Sequence, residues 1–137
     1  MSIKIIKPFG PSIVKARLTL EIVEKLNSYI DQVINDNILS NSLDYGKNLV
    51  GNVKQEIELD TEIMKKIKWG EFLGSISKQW VEIELKKNLK DFRVINSWVV
   101  RQFKNEYNPI HWHGGDISGV GYLLVPKQSG KTFQENK

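Results

Sequence analysis

The chain of 137 residues contains no cysteine. Disulfides, thiolate zinc sites and cysteine nucleophiles are therefore excluded, and any metal must be held by imidazole, carboxylate or water. Histidine is almost as scarce, because the sequence has two, His111 and His113, with one residue between them. Whatever imidazole chemistry the chain performs is thus concentrated in one short stretch.

Long apolar runs are missing as well. No stretch approaches the roughly 20 apolar residues that span a bilayer. The N-terminal "MSIKIIKPFG" lacks both a long apolar signal region and a small-residue cleavage site. These absences predict a cytoplasmic protein with no membrane partner. The hydrophobic fraction of 40% is enough for one core, and we expect a single domain over residues 1–137.

Charge is not concentrated in one region. The net charge is +4, but the lysines are dispersed among acids, and the densest clusters are "KKIKWGEF" and "ELKKNLKDF". Both clusters lie in segments with helical character, where a solvated helix face explains them. Nucleic acid is therefore not an expected partner. Binding through these lysines and Trp69 is a third-ranked hypothesis, and it predicts strongly salt-dependent affinity.

The first part of the chain reads as a short strand followed by a helix. Residues 3–7, "IKIIK", favour a strand, and Pro8, Gly10 and Pro11 mark a turn after it. Thr19 is a plausible N-cap for an amphipathic helix, whose apolar residues recur at spacings of three and four. These apolar positions are Leu20, Val23, Leu26, Ile30, Val33 and Ile34.

The middle of the chain predicts a loop and a second helical region. Residues 36–56 are rich in Asn, Ser, Asp and Gly, which oppose regular structure, so we expect a surface loop. Asp60 is a candidate N-cap for the helical region, with a break or kink at Gly70 or Gly74. The aromatic residues of this region are expected to pack in the core: Trp69, Phe72 and Trp80.

The end of the chain favours strands. Residues 92–103 alternate in polarity and are rich in β-branched and aromatic residues, and "ISGVGYLLVP", residues 117–126, reads as a second strand ended by Pro126. The histidines would then lie between two strands, at a sheet rim where loops carry function. We therefore expect a helical support region over about 1–90 and a partial β-core over about 91–137.

The small number of strands predicts that this β-core is incomplete. Two strands with exposed apolar faces are marginally stable without partners. The missing strands would come either from another chain, as in a homo-oligomer formed through sheet edges, or from a longer protein of which this chain is a C-terminally truncated piece.

The H-x-H pattern is the strongest chemical signal. On extended backbone the side chains alternate, so both imidazoles point to the same side and converge on one metal. Asp116 could reach the same centre and give two histidines and one carboxylate, an arrangement typical of non-haem iron(II) oxygenases. Iron, manganese, nickel, copper and zinc all accept imidazole, so spacing alone leaves the metal open. The alternative is that the histidines are surface residues or hydrogen-bonded caps.

The stretch "SWVVRQFKNEYNPIHWHGGDISGVGYLLVP" resembles the core of 2-oxoglutarate and iron(II)-dependent oxygenases distantly similar to prolyl hydroxylases. That pattern runs from a Trp-containing strand through a polar turn to H-x-H, then to S-G-v-x-Y-l and a Pro. The resemblance covers residues 94–126 and, more loosely, the N-terminal strand and helix. The matching positions are Trp98, His111, His113, Ser118, Gly119, Tyr122 and Pro126.

The resemblance implies an α+β fold, with N-terminal helices packed on part of a double-stranded β-helix of the cupin-like, jelly-roll type. It makes His111 the first iron ligand. His113 stands where prolyl hydroxylases have an aspartate, so either His113 is itself a ligand or Asp116 takes the carboxylate role. Tyr122 matches a tyrosine that hydrogen-bonds the distal carboxylate of 2-oxoglutarate.

The implied cofactors are iron(II) and 2-oxoglutarate, and the implied activity is hydroxylation of a substrate that the sequence does not identify. Arg101 could supply a positive charge for the cosubstrate, although nothing in the family motif assigns it that role. No histidine follows His113, so we expect a truncated family member with half of the site, inactive or weakly active. The alternative is a non-catalytic interaction module with exposed strand edges.

Overall fold

The computed structural model describes residues 2–46 and 50–125. Within these ranges the chain is α+β, as expected, with helices and two small antiparallel sheets. No helix of the described part has the length and apolarity to cross a membrane. The elements are β1 (Ile3–Ile6), β2 (Ile13–Ala16), α1 (Leu20–Asn35), α2 (Asn37–Ser42), β3 (Gln55–Glu58), α3 (Thr61–Lys66), α4 (Trp69–Trp80), which continues into a π-helical turn (Val81–Leu85), and β4 (Trp98–Arg101).

The first two strands form a hairpin. Strand β1 confirms the strand predicted over residues 3–7, and it pairs with β2 so that Ile3 lies opposite Ala16 and Ile6 opposite Ile13. Residues 8–11 make the expected turn, where Gly10 has a φ of +135° that other residues rarely adopt. Strand β2 was not predicted, because four residues are too few to show a period.

Helix α1 supplies half of the core. The Thr19 cap is confirmed, since its Oγ1 accepts the Ile22 N–H at 3.3 Å. The predicted apolar stripe is confirmed at Leu26, Ile30 and Val33, which are buried. Ile22 is buried as well, whereas Leu20 is 70% exposed.

The loop expected over residues 36–56 is wrong in part. Asp36 Oδ1 accepts the backbone N–H groups of Ile38 and Leu39, which caps α2 within the Asn- and Ser-rich stretch. Residues 43–45 then pair with one side of β3, where Asp44 bridges Ile57 and the Tyr45 N–H donates to the Glu56 carbonyl at 2.7 Å. The polar composition of this stretch therefore did not indicate that it contains a helix and a segment paired with β3. Residues 47–49 of the predicted loop lie outside the described residues.

The second helical region begins after Asp60 and is interrupted at Lys68. The Asp60 cap is confirmed, because its Oδ1 accepts the Ile63 N–H at 2.8 Å. The break predicted at Gly70 or Gly74 is wrong, since both glycines lie inside α4 and the chain turns at Lys68, whose φ is 59°. Gly74 serves close packing instead, because a Cβ there would lie 3.2 Å from Cδ1 of Phe92.

The large aromatic residues of α4 pack as expected. Trp69 and Phe72 stack with ring centroids 5.7 Å apart and contact the buried core. The indole N–H of Trp69 donates to Ser97 Oγ at 3.0 Å, and that of Trp80 to Ser12 Oγ at 2.8 Å. Each indole thus contributes apolar area while its one polar atom stays paired.

Strands β3 and β4 form the sheet that faces α1. They are antiparallel, with Gln55 opposite Arg101 and Glu58 opposite Trp98. Ile57 is 3% exposed and packs with α1 and with Val99 in the same core cluster. The strand predicted over residues 92–103 is confirmed only at Trp98–Arg101, where the chain pairs with β3.

The second strand predicted at the end of the chain is not observed. Residues 117–125 have no assigned strand, and most of their side chains are exposed. A strand needs a neighbour to satisfy its backbone N–H and C=O groups, and no other described segment pairs with this one. Pro126, the predicted end of the strand, lies outside the described residues. Three of the four described strands fall within residues 1–90, the expected helical support region, and of these β1 alone was predicted.

The burial of one face of α1 can be tested directly with a matched control. Leu26 is 2% exposed and Leu20, in the same helix, is 70% exposed. We expect Leu26→Ala to lower the free energy of unfolding by roughly 2–5 kcal/mol, because a buried cavity is created. Leu20→Ala should change it by no more than about 0.5 kcal/mol. Urea unfolding measures both, and equal losses would contradict this orientation of the helix.

One buried group in β3 is a carboxyl. Glu56 is 1% exposed, and its Oε1 has no hydrogen-bond partner among the described residues. Burial raises the pKa of Glu56 above its usual range, and the negative charges of Asp44 and Glu106 raise it further. Burying an unpaired charge is costly, so the folded protein holds the proton of Glu56 more tightly than the unfolded chain does.

This raised pKa predicts how stability depends on pH. The folded state holds a proton that the unfolded chain releases, so the contribution of Glu56 is present at low pH and is lost as pH rises through the raised pKa. Glu56→Gln should remove this loss, so that the free energy of unfolding no longer falls through this group as the pH rises toward 8. The exposed neighbour supplies the control, Glu58→Gln. If Glu56→Gln and Glu58→Gln gave the same pH profile, the buried carboxyl would not be the cause.

Candidate metal-binding histidine pair

A closed turn leads from β4 to the histidines. Glu106 Oε2 accepts the Phe103 N–H at 2.9 Å, and Gln102 Nε2 donates to the Glu106 carbonyl at 2.6 Å. Asn105 lies in the turn with a φ of 69°, a conformation that Asn tolerates better than most residues. The polar "KNEYNP" segment therefore forms the turn that its composition predicts.

The chain is next fixed against residues 51–52. Asn52 and Tyr107 exchange backbone hydrogen bonds, with N···O distances of 2.8 and 3.3 Å. Gly51 permits this approach, since a Cβ at Gly51 would lie 1.7 Å from Oδ1 of Asn108. The backbone is thus held immediately before it reaches Pro109 and the histidines.

The two imidazoles face each other. His111 Nε2 lies 3.0 Å from His113 Nε2, and the ring planes meet edge to face at 80° with centroids 4.6 Å apart. The other ring nitrogen of His111, Nδ1, lies 2.7 Å from the Pro109 carbonyl oxygen. The expected convergence of the two rings is therefore observed, and we call His111 and His113 the histidine pair.

The Pro109 carbonyl sets the tautomer of His111. A carbonyl only accepts hydrogen bonds, so at this distance His111 Nδ1 carries the proton and donates it. In the neutral ring, Nε2 then holds a lone pair, to which the His113 Nε2–H donates. Metal-binding histidines are commonly oriented by such a second hydrogen bond to a carbonyl. His111 is in the tautomer that a metal at Nε2 requires.

The spacing of the pair also fits a particular coordination geometry. Two nitrogens bonded to one metal at about 2.1 Å lie about 3.0 Å apart when they subtend a right angle, and about 3.4 Å apart at a tetrahedral angle. The observed 3.0 Å matches neighbouring positions of an octahedron. It is also the ordinary length of an N–H···N hydrogen bond. The same spacing thus suits the metal-free pair and a metal-bound one, and metal binding would require the His113 proton to leave Nε2.

Aromatic side chains connect the pair to the sheet. The His113 ring lies 5.7 Å from the ring of Trp98 in β4, tilted by 45°. Trp98 in turn stacks on Tyr45, which belongs to the segment paired with β3, at 5.0 Å and 20°. Both histidines are otherwise exposed. Trp98 therefore covers one side of the pair, and the remaining side is open to solvent or ligand.

The other predicted site residues are placed differently. Asp116 is exposed and follows Gly115, whose φ is 90°. Tyr122 is 74% exposed. Among residues 2–46 and 50–125, no three or more histidine, aspartate or glutamate side chains are grouped so that they could hold a metal. Asp116 therefore does not complete such a group with the histidine pair.

Arg101 is engaged with helix α1. Its Nη1 lies 3.6 Å from Oδ1 of Asp31, and its guanidinium lies 5.8 Å from the Phe103 ring centroid. Because side chains alternate along a strand, Arg101 projects from the face of β4 opposite to Trp98. The structure thus places this positive charge on the helix side of the sheet and not beside the histidine pair.

Two contributors to the histidine site, Tyr45 and the Pro109 carbonyl, have no signal in the sequence. Tyr45 lies in a segment expected to be an irregular loop, and no local pattern indicates its stacking on Trp98. The Pro109 carbonyl is a backbone group, so residue identity does not reveal its part in orienting His111. An N-P pair before a histidine signals only a turn.

Comparison of the sequence with protein-family models, with curated proteins and with solved structures found no match. The chemistry open to the chain is therefore judged from its own residues. Two imidazole nitrogens directed at each other, one of them in a tautomer set by a carbonyl, are a donor set suited to a divalent transition metal.

Proposed function

We propose that this chain is a homologue of the iron(II) and 2-oxoglutarate-dependent oxygenases and that the histidine pair supplies two ligands of the metal centre. The observation that carries the proposal is the 3.0 Å approach of the two Nε2 atoms, with His111 Nδ1 donating to Pro109. The pair would supply two imidazole nitrogens to a divalent transition metal, and the choice of iron(II) follows from the family resemblance.

The proposal includes a fold relationship. In it, residues 43–45, β3 and β4 are part of a double-stranded β-helix, and α1 is the helical support that packs on it. Two observations support this reading: the pairing is antiparallel, and the strand that contains Trp98 leads through a polar turn directly to His111. Both observations agree with the order of elements in the oxygenase family that the sequence resembles.

Each polar residue near the pair has a proposed task. His111 and His113 hold the metal through Nε2, and the Pro109 carbonyl keeps His111 from rotating. Asp116 is the candidate carboxylate, which requires the exposed 114–116 turn to move toward the pair. The exposed phenol of Tyr122 is suited to donate a hydrogen bond to the cosubstrate carboxylate. Arg101 remains in its contact with Asp31 and is left outside the proposed site.

Bound iron(II) would supply the activation of dioxygen, with 2-oxoglutarate as the co-reductant, for hydroxylation of a C–H bond. The protein itself would position the metal and determine from which side cosubstrate and substrate reach it. Trp98 covers one side of His113, which leaves the other side of the pair for cosubstrate and substrate.

A second candidate function is a non-catalytic interaction module, and one observation favours it. The segment that contains the histidines exposes an unusual amount of apolar surface: Ile110 at 106%, Trp112 at 87%, Val120 at 79% and Leu124 at 85%. Apolar patches of this kind mark interaction sites or aggregation-prone surfaces. In this reading the histidine pair only stiffens the segment, and metal has no effect on it.

Metal binding separates the two functions. We expect the chain to bind Fe(II) under anaerobic conditions, and Co(II) as a stable substitute, near one equivalent. His111→Ala and His113→Ala should each weaken binding at least about tenfold, because each removes a direct ligand. Asp116→Asn tests the carboxylate role in the same titration. Isothermal titration calorimetry measures all of these.

The matched control is Trp112→Phe, which changes the residue between the histidines but keeps both imidazoles. It should bind metal as the unsubstituted chain does. In a second titration, 2-oxoglutarate should bind only to the metal-loaded protein, and Tyr122→Phe should weaken that step alone. Metal affinity that survives the double histidine substitution, or no affinity in the unsubstituted chain, would contradict the proposal and leave the interaction module.

A further inference from the structure

The hairpin of β1 and β2 carries positive charge without negative charge. Residues 1–20 contain no aspartate or glutamate, and their cations are Lys4, Lys7, Lys15 and Arg17. Lys7 pairs with Glu84 in the π-helical turn after α4. None of the ion pairs formed by the described residues includes any of the other three cations. Most of the hairpin's positive charge is therefore left for a partner outside the described part of the chain.

The strand pairing brings two of these cations together. Lys4 lies opposite Lys15, and Ile6 lies opposite Ile13. Because side chains alternate along a strand, both pairs lie on the same face of the hairpin, and all four side chains are exposed. Like charges directly opposite each other destabilise a strand pair. A negatively charged surface against this face would remove that repulsion.

The other face of the hairpin is packed against the rest of the protein. Val14 and Ala16 on that face are half-buried. The Ser12 hydroxyl, near the turn of the hairpin, accepts the indole N–H of Trp80 in α4 at 2.8 Å. The hairpin is therefore held in place from behind, and the face with the lysines is directed to solvent.

The apolar side chains of the exposed face lie toward the tip. Phe9, in the turn, is 97% exposed, and Ile6 and Ile13, in the last strand pair before the turn, are 37% and 49% exposed. The Lys4–Lys15 pair lies two residues behind the isoleucines, which is about 7 Å along the strands. The hairpin thus presents an apolar tip with a cationic region behind it.

We propose that this hairpin docks on an anionic lipid surface. Apolar groups of surface-bound proteins enter the boundary between headgroups and acyl chains by about 5–10 Å, which fits the distance between the tip and the lysine pair. Phe9, Ile6 and Ile13 would then occupy that boundary. Basic residues close to an anionic leaflet are attracted to its headgroups, as Lys4, Lys15 and Arg17 would be.

Nucleic acid is a second kind of anionic surface, and the tip argues against it. Phosphate contacts would satisfy the cations, but bases are read mainly through hydrogen bonds. The exposed tip positions Ile6, Phe9 and Ile13 have no side chain that donates or accepts one. Lipid uses both halves of the face, whereas nucleic acid uses the cations and leaves the aliphatic side chains in water.

The sequence predicts no membrane partner because it contains no segment that spans a bilayer. A contact at the membrane surface needs no such segment. Three cations and a small apolar tip give reversible binding, which increases with the anionic lipid content and decreases with salt. The contact uses neither histidine, so it is independent of the proposed metal centre.

Co-sedimentation of the full chain with lipid vesicles tests the proposal. We expect the chain to bind vesicles of phosphatidylcholine with about 30% phosphatidylserine at least about tenfold more tightly than vesicles of phosphatidylcholine alone. Lys4→Gln with Lys15→Gln should weaken binding to the anionic vesicles about 20- to 30-fold, because each cation near the surface contributes about fivefold. Phe9→Ala should weaken it about tenfold, because the inserted apolar area is lost.

The matched control is Lys66→Gln with Lys87→Gln, which makes the same change in net charge at exposed positions outside the hairpin. It should weaken binding less than about threefold, and circular dichroism checks that each variant is folded. Equal binding to both kinds of vesicle, or an equal loss in the control and the hairpin variants, would overturn the proposal. Binding to a 30-nucleotide RNA or a DNA duplex at least as tight as to the anionic vesicles would overturn the assignment to lipid.

Discussion

The antiparallel pairing of β3 with β4 is the contact on which the rest of the structure depends. On the helix side of this sheet, Ile57 and Val99 pack with the buried stripe of α1 and form the core. On the other side, Trp98 contacts the ring of His113 and stacks on Tyr45. One four-residue ladder therefore joins the hydrophobic core to the candidate site, and its loss would remove both together.

The histidine pair and the carboxyl of Glu56 differ in their surroundings. The pair is exposed and presents imidazole nitrogens, which suit transition metals. The Glu56 side chain is 1% exposed. Both are positioned by the same sheet, the pair through Trp98 in β4 and Glu56 as a residue of β3.

Local signals in the sequence predicted the local features of the fold. The Thr19 and Asp60 caps were readable because a side-chain acceptor precedes an apolar repeat, and the spacing of the histidines predicted that their rings converge. Features that depend on a distant partner were not readable. Strand β3 was concealed in a polar segment, and the alternation over residues 117–125 looked like a strand although no described segment pairs with it. The β3–β4 partners lie 40 to 46 residues apart in the chain, so a local sequence pattern does not reveal their pairing.

The histidine pair depends on the Pro109 carbonyl, which holds His111 with its Nε2 lone pair toward His113. Long-range ¹H–¹⁵N correlation spectra of histidine-labelled protein in EDTA, with His113→Ala used for assignment, report the protonation of each ring nitrogen. The geometry predicts that neutral His111 is protonated at Nδ1 and unprotonated at Nε2. A neutral His111 protonated at Nε2 would contradict this arrangement of the pair.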